Sequence, residues 1–249
     1  MLAMKLASKY EVDAVRKRVV ERIEDAWPRS FEQWLRFHAE VDVVKKLHED
    51  AGDGLIDGKQ FTDRVPEPAA AIRIARDFDI PSILPFAYYT LATISLEHDW
   101  ERYHDPSTDE HWLLASEHAR AARWPMLDVV DMTAVLRGRE KLVRFVAWSI
   151  DWASGDTIKD VLSSAAACCL DDDDPCRKKA ETLRAQWTED VSVSMWHVGC
   201  PDPLGSLQYL HEGHQRWGLC ELCADALQRC VRDRQETIWN KLSQCFEIE

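Results

Sequence analysis

Apolar residues along most of this chain recur every three or four positions, and this spacing restricts the fold more than any other feature of the sequence. Within the first 25 residues the spacing is carried by Leu6, Tyr10, Val15, Val19 and Ile23. Hardly any stretch alternates strictly between apolar and polar residues, as a half-buried strand would. The sequence therefore predicts a mainly α fold, built as an irregular array of helical hairpins.

Proline and glycine mark the predicted ends of these helices. The periodicity predicts a helix over 30–50, and the glycine- and aspartate-rich stretch 49–59 is typical of a loop. The next helix is predicted to begin after Pro66 or Pro68. A further regular helix is placed after Pro85, because proline has no amide N–H to donate within a helix.

Two more helical regions are predicted towards the C-terminus. Residues 126–153 have the spacing of a helical pair, with Gly138 at the turn between its two halves. A terminal helix is predicted from about Leu219 to Leu242. The fold class is thus mainly α with a cysteine-containing helical segment at the C-terminal end.

The stretch 5–20, "KLASKYEVDAVRKRVV", is echoed 68 residues later by "RIARDFDIPSILPFAYY" at 73–89. Tyr10 aligns with Phe78, and each is followed by an acidic residue, an aliphatic residue and a second helical pattern. Two copies are too few for a solenoid, which needs about three or more stacked units. The echo therefore predicts two similar helical hairpins.

Composition and charge restrict the class of partner. The chain has 249 residues, of which 46% are hydrophobic, and its net charge is −13. This charge makes nucleic acid an improbable ligand and argues against an anionic membrane surface, because both require a basic face. No run approaches the roughly 18 apolar residues of a membrane span. Eight cysteines without a recognisable secretory signal predict an intracellular protein of the cytoplasm or nucleus.

The motif "LCELC" places Cys220 and Cys223 at the spacing with which two thiolates hold one zinc ion. Cys169 and Cys176 form a second pair on either side of an aspartate run. These four cysteines are predicted to hold a structural zinc ion. Other residues could compete for the same role: Cys168, Cys200, His211 and His214. The alternative is that the cysteines are small buried core residues.

The sequence assigns no catalytic or cofactor-binding residue. It contains no HExxH zinc motif, no GxSxG nucleophile motif and no glycine-rich phosphate loop. The acidic run Asp171–Asp174 lacks the alternating ligands of a calcium loop and is interpreted as a solvated break. We therefore expect a protein that is not an enzyme.

Several longer motifs resemble one protein family. The segments are "KLASKYEVDAVRKRVVERI" (5–23), "DFDIPSILPFAYYTLA" (77–92), "VLRGREKLVRF" (135–145), the paired cysteines and "IWNKLSQCFEI" (238–248). The first segment resembles the closing helices of a BTB/POZ domain, and the others resemble the long C-terminal region of the BTB/POZ-domain proteins abundant in mushroom-forming fungi. The resemblance implies an intracellular protein–protein interaction module, an adaptor or regulator, with no catalytic residues. Its recurrent cysteines also strengthen the prediction of zinc.

The same resemblance implies how the chain is divided. Residues 1–27 would be the last helices of a truncated BTB domain, 28–160 a helical BTB-associated region, and 161–249 the cysteine-containing helical region. The strands that form a BTB dimer interface would precede Met1, so BTB-type dimerisation is not expected. We expect residues 1–25, deprived of those strands, to dock elsewhere or to be poorly ordered.

Two alternatives to the interaction module remain at this point. The first is a zinc-dependent enzyme that uses the cysteine and histidine cluster, with an open coordination position and a nearby carboxylate. The second is a zinc-stabilised regulator associated with nucleic acid, which the net charge disfavours. A closed site of four thiolates would favour the interaction module over the enzyme.

Overall fold

A computed structural model describes most of the chain, and the described residues are mainly helical, as predicted. The described residues are 13–51, 54–105, 107, 119–154, 176, 178–179, 182, 185–186, 188–189, 202–208 and 218–248. Within these ranges β structure is confined to two isolated bridges, Ile56 with Lys59 and Asp99 with Ala122. No described helix combines the length and the apolar character needed to cross a bilayer.

The helices that can be given bounds lie in both halves of the chain. They are α1 Asp13–Asp25, α2 Phe31–Asp50, α3 Phe61–Arg64, α4 Pro68–Phe78, α5 Leu84–Ala92, α6 Trp100–Tyr103, α7 Val129–Ser154, α8 Glu221–Trp239 and α9 Leu242–Cys245. Single turns of 3-10 helix occupy Pro81–Ile83 and Trp124–Met126. Residues 203–208 are helical, and so are those described between 176 and 189.

The chain forms two compact units. Unit 1 comprises residues 1–138 and 242–249, and unit 2 comprises residues 139–241. Helix α7 therefore belongs to unit 1 up to Gly138 and to unit 2 beyond it. The sequence-based boundaries after residues 27 and 160 stay predictions.

Helix α4 begins where the sequence predicts a start. Pro68 is its first residue, where a missing amide N–H costs nothing. The Glu67 carboxylate accepts hydrogen bonds from the amides of Ala69 and Ala70, at 3.0 and 2.6 Å, and so caps the helix. Asp79 ends the helix in the left-handed conformation, with φ of 54°.

Two predicted helix limits are wrong. Helix α5 begins at Leu84, so Pro85 lies inside its first turn and does not precede the helix. Proline is tolerated there because the first amides of a helix have no partner within it. Residues 129–154 form one continuous helix, so Gly138 does not mark a turn between two helices. The role of Gly138 lies in packing.

The core of unit 1 is built around α4 and α5. Nearly every residue of α5 is buried, including Phe86, Tyr88 and Tyr89. Helix α4 turns Ile72 and the small Ala75 inwards, where alanine lets the two helices approach closely. This hairpin is the second copy of the sequence echo, and the beginning of the first copy lies outside the described residues. The hairpin positions the polar group described next.

A buried polar group joins α4, α5 and α7 in unit 1. The Tyr88 hydroxyl donates a hydrogen bond to the Asp131 carboxylate, which is almost completely buried. Arg76 donates from Nη2 to the Tyr88 oxygen at 3.2 Å, and its Nε lies 3.6 Å from Asp131 Oδ1. Burial, together with the hydrogen bond to Asp131, raises the pKa of Tyr88 well above its usual value. The tyrosine therefore stays protonated and keeps its donor.

The C-terminal residues of the chain close over this group. The ring of Phe246 stacks on that of Tyr88 with centroids 5.7 Å apart. A β-carbon placed on Gly138 would overlap the Phe246 ring, so only glycine allows the ring to lie against α7. Arg137 forms an ion pair with Glu247 at 2.8 Å beside the same contact. Gly138 is thus a site of close approach and not a helix breaker.

Replacing Gly138 by alanine is expected to destabilise unit 1 by about 1–3 kcal/mol, because the added methyl group forces Phe246 out of its position. Alanine by itself favours a helix by about 1 kcal/mol over glycine. In a Phe246→Ala background, where the methyl group has space, Gly138→Ala should therefore raise the free energy of unfolding instead of lowering it. Urea unfolding of the two single variants and the double variant measures this cycle, and a Gly138→Ala substitution that stabilises the chain on its own would contradict it.

Replacing Tyr88 by phenylalanine is expected to lower the free energy of unfolding by about 1–3 kcal/mol, because it leaves the buried Asp131 carboxylate without its hydroxyl donor. A double variant, Tyr88→Phe with Asp131→Leu, should recover part of the loss, since both partners are then apolar. Chemical unfolding monitored by circular dichroism tests both. A Tyr88→Phe variant as stable as the original chain would show that the bond contributes nothing.

Candidate metal centre

The N-terminus of α8 in unit 2 places two of the predicted ligands. Cys220 is the N-cap residue, with extended backbone angles (φ −67°, ψ 159°), and Cys223 is the third residue of the helix. Side chains at these two positions lie side by side, as they do in a capping box. The C-x-x-C spacing therefore brings two thiols together at a helix terminus whose free amides favour negative charge.

The third thiol comes from the helical segment that contains Cys176. The sulfurs of Cys176, Cys220 and Cys223 all lie within 4.8 Å of one another. The backbone amide of Cys220 donates to Cys176 Sγ at 3.4 Å. Cys176 and Cys223 are 4% and 1% exposed, and Cys220 is partly exposed. Residues 44 positions apart in sequence thus meet at one buried point.

Two further residues hold this arrangement. Gly218, two residues before Cys220, has a φ of +62°, a conformation that side-chain-bearing residues adopt only with strain. Its carbonyl oxygen accepts a hydrogen bond from Lys179 Nζ at 2.7 Å. Lys179 lies three residues after Cys176, on the same helical segment. The loop that delivers Cys220 is thereby tied to the segment that delivers Cys176.

Helix α8 is anchored along the rest of its length within unit 2. The Arg234 guanidinium lies over the ring of Trp148 and donates to the Trp148 carbonyl oxygen at 2.9 Å. Burial lowers the pKa of Arg234 to about 10. The buried Gln235 donates to the Leu204 carbonyl oxygen at 3.1 Å. These contacts fix the axis of the helix that carries Cys220 and Cys223.

The arrangement suits a metal ion that prefers sulfur. Around a tetrahedral zinc ion with bonds of about 2.3 Å, neighbouring sulfurs lie about 3.8 Å apart. The three sulfurs, all within 4.8 Å of one another, are close enough to hold such an ion. All five described cysteines, these three with Cys230 and Cys245, are free thiols. The Cys220 amide points at Cys176 Sγ, and the N-terminus of α8 lies beside the sulfurs of Cys220 and Cys223.

The structure brings together three of the four cysteines that the sequence predicts as ligands. Cys176, Cys220 and Cys223 form the cluster. Cys169 lies outside the described residues, so its place in the site stays a prediction. The competing residues also lie outside the described part of the chain: Cys168, Cys200, His211 and His214.

Sequence reasoning missed the two residues that support the cluster. Gly218 precedes the C-x-x-C motif by two positions, a place where glycine often supplies a tight turn before a helix. Lys179 follows Cys176 by three, which puts both on one face of a helix. Both spacings can be seen in the sequence. The hydrogen bond between Lys179 and Gly218 forms only in the folded chain.

Comparison with protein-family models, with curated proteins and with solved structures finds no match. The resemblance to BTB/POZ-domain proteins therefore stays a prediction from the sequence motifs.

For the zinc site that is proposed below, replacing Gly218 by alanine is expected to weaken the affinity for Zn²⁺ about tenfold, since a left-handed alanine costs roughly 1–2 kcal/mol. The β-carbon would also come within 3.2 Å of Lys179 Nζ and disturb its bond to the loop. Competition with a chromophoric zinc chelator measures the affinity.

Gly58 is the matched control for this variant. It lies in unit 1, has a φ of +68° and has nothing within 4 Å of an added β-carbon. Gly58→Ala should therefore impose similar backbone strain and leave zinc affinity unchanged. An equal loss of zinc affinity in both variants would mean that Gly218 has no specific link to the cysteine cluster.

Proposed function

We propose that this chain is a non-catalytic protein–protein interaction module whose unit 2 is stabilised by one structural zinc ion. The observation that carries the proposal is the meeting of Cys176, Cys220 and Cys223 at a helix N-terminus, with their sulfurs within 4.8 Å of one another. Zinc is the metal that such a sulfur-rich site favours, because it is borderline-soft and has no geometric preference of its own. The ion would join α8 to the segment that contains Cys176.

The character of the site supports a structural role over a catalytic one. A catalytic zinc ion keeps one coordination position open to water and usually has a carboxylate nearby. Within the described part of the chain, the ligand cluster contains thiols alone, with no histidine or carboxylate. Cys176 and Cys223 are nearly inaccessible to solvent. A largely buried cluster composed of thiols alone therefore favours a structural role.

We propose Cys169 as the fourth ligand, which would complete a closed site of four thiolates. Such a site binds zinc tightly, and binding of the metal then contributes directly to the folding free energy. A segment with several polar breaks, such as the last third of this chain, benefits most from a link of this kind. The stabilisation would be lost when zinc is removed.

The interaction role is supported by the surface and by the sequence motifs. Large apolar side chains remain exposed on several described helices, among them Val43 on α2 and Leu222 on α8. The net charge of −13 disfavours nucleic acid and anionic lipid as alternative partners. The motifs that resemble BTB/POZ proteins imply an adaptor or regulator inside the cell, in the cytoplasm or nucleus, where the thiols would stay reduced and able to bind zinc.

Purified protein is expected to contain one zinc ion per chain, and Cys176→Ser, Cys220→Ser and Cys223→Ser should each lose most of it. Elemental analysis by mass spectrometry measures the content. Cys230→Ser is the matched control, since Cys230 lies on α8 but outside the cluster, and it should retain zinc.

Removal of the metal by a strong chelator should also lower the free energy of unfolding. A free ligand at about 100 times its dissociation constant stabilises the folded state by about 2.7 kcal/mol, and this contribution disappears with the ion. A chain that is free of zinc when purified under reducing conditions, and whose unfolding does not change on chelation, would overturn the proposed zinc site.

A further inference from the structure

An apolar groove runs between α1 and α4 of unit 1. It has a volume of about 610 Å³ and is open to solvent. Its wall on α1 is formed by Val15, Val19 and Ile23, which recur every four residues along one face of the helix. Ala70 and Ile74 of α4 line the opposite wall, again one helical turn apart. Both walls therefore present apolar residues at helical spacing.

Polar contacts help to hold α1 in place, while its apolar residues stay at least partly exposed. None of its residues is fully buried. Arg16 donates from Nη2 to the Phe78 carbonyl oxygen at 3.0 Å, and the Ser82 hydroxyl donates to Glu24 at 2.7 Å. These bonds fix the helix beside α4 while its apolar stripe stays accessible, with Val15 43% exposed. The groove is thus a preformed surface.

The rim of the groove is positive. Among its described lining residues the charged groups are Arg18, Arg22 and Glu67. Glu67 already accepts hydrogen bonds from the amides of Ala69 and Ala70, which cap α4, and its charge is directed there. Arg18 and Arg22 lie one turn apart on α1, and neither forms an ion pair with a described residue. The chain as a whole has a net charge of −13, so these two arginines form a local region of positive charge.

We propose that this groove binds an amphipathic helix of a partner protein, with its apolar face in the groove and acidic residues one turn apart opposite Arg18 and Arg22. Two walls with apolar residues at helical spacing match the side-chain repeat of a docked helix. The rim arginines select acidic partners and exclude basic ones. The inference names the kind of partner that the proposed interaction module takes, and to that extent it rests on the proposed function.

The test uses two fluorescent peptides of about 18 residues, long enough to form a helix. They share one face of leucines at helical spacing and differ only in the flanking residues, which are glutamate in one and lysine in the other. Fluorescence polarisation with the full chain is expected to show binding of the acidic peptide about tenfold tighter than that of the basic one, and less so at high salt.

Variants of the chain test whether Arg18 and Arg22 cause the preference for the acidic peptide. The double variant Arg18→Glu with Arg22→Glu should reverse the preference, so that the basic peptide binds more tightly. The control, Lys17→Glu with Lys46→Glu, changes the net charge equally at exposed positions outside the groove and should keep the original preference. Ala70→Trp, which fills the groove, should abolish binding of both peptides. Circular dichroism establishes that each variant is folded.

Three outcomes would overturn the inference. The first is that neither peptide binds saturably to the full chain. The second is that both peptides bind equally well, which would remove the role of the arginines. The third is a dimer in sedimentation equilibrium that Ala70→Trp dissociates, which would make a second copy the occupant. The zinc content is measured on the same samples, so failure of the groove and failure of the zinc site are distinguished.

Discussion

The hydrogen bond from the Tyr88 hydroxyl to the buried Asp131 carboxylate is the contact on which the rest of unit 1 depends. A carboxylate removed from water is costly unless donors surround it, and here Tyr88 and Arg76 supply them. This requirement fixes α4, α5 and α7 relative to one another within the unit. The stacking of Phe246 on Tyr88 then gives the C-terminal residues of the chain a defined place.

In unit 2 the buried polar groups that need favourable surroundings are cysteine sulfurs. Cys176 and Cys223 are buried, and thiols brought this close are stable as a charged cluster when a cation lies among them. The amide of Cys220 and the N-terminus of α8 provide part of the compensating positive potential. In both units a few buried polar groups, which have few satisfactory arrangements, add to the apolar packing, which has many.

The proposed function combines two features that lie in different units. The cysteine cluster offers stability to a helical region with long polar breaks, and the groove between α1 and α4 offers a surface with a defined charge pattern. A stable framework with a selective apolar surface is the usual requirement of a module that binds other proteins.

Local sequence signals were sufficient to predict the fold class and two of the clustered cysteines. Periodicity indicated helices, Pro68 marked the start of α4, and the C-x-x-C spacing identified Cys220 and Cys223, because these signals act over one or two helical turns. Three features came from the folded chain and not from local signals. Gly138 packs against Phe246 within a helix, Lys179 binds the Gly218 loop, and Cys176 meets the α8 N-terminus. These features depend on contacts between residues about 40 to 110 positions apart. Local helix propensity does not indicate which distant side chain will make such a contact.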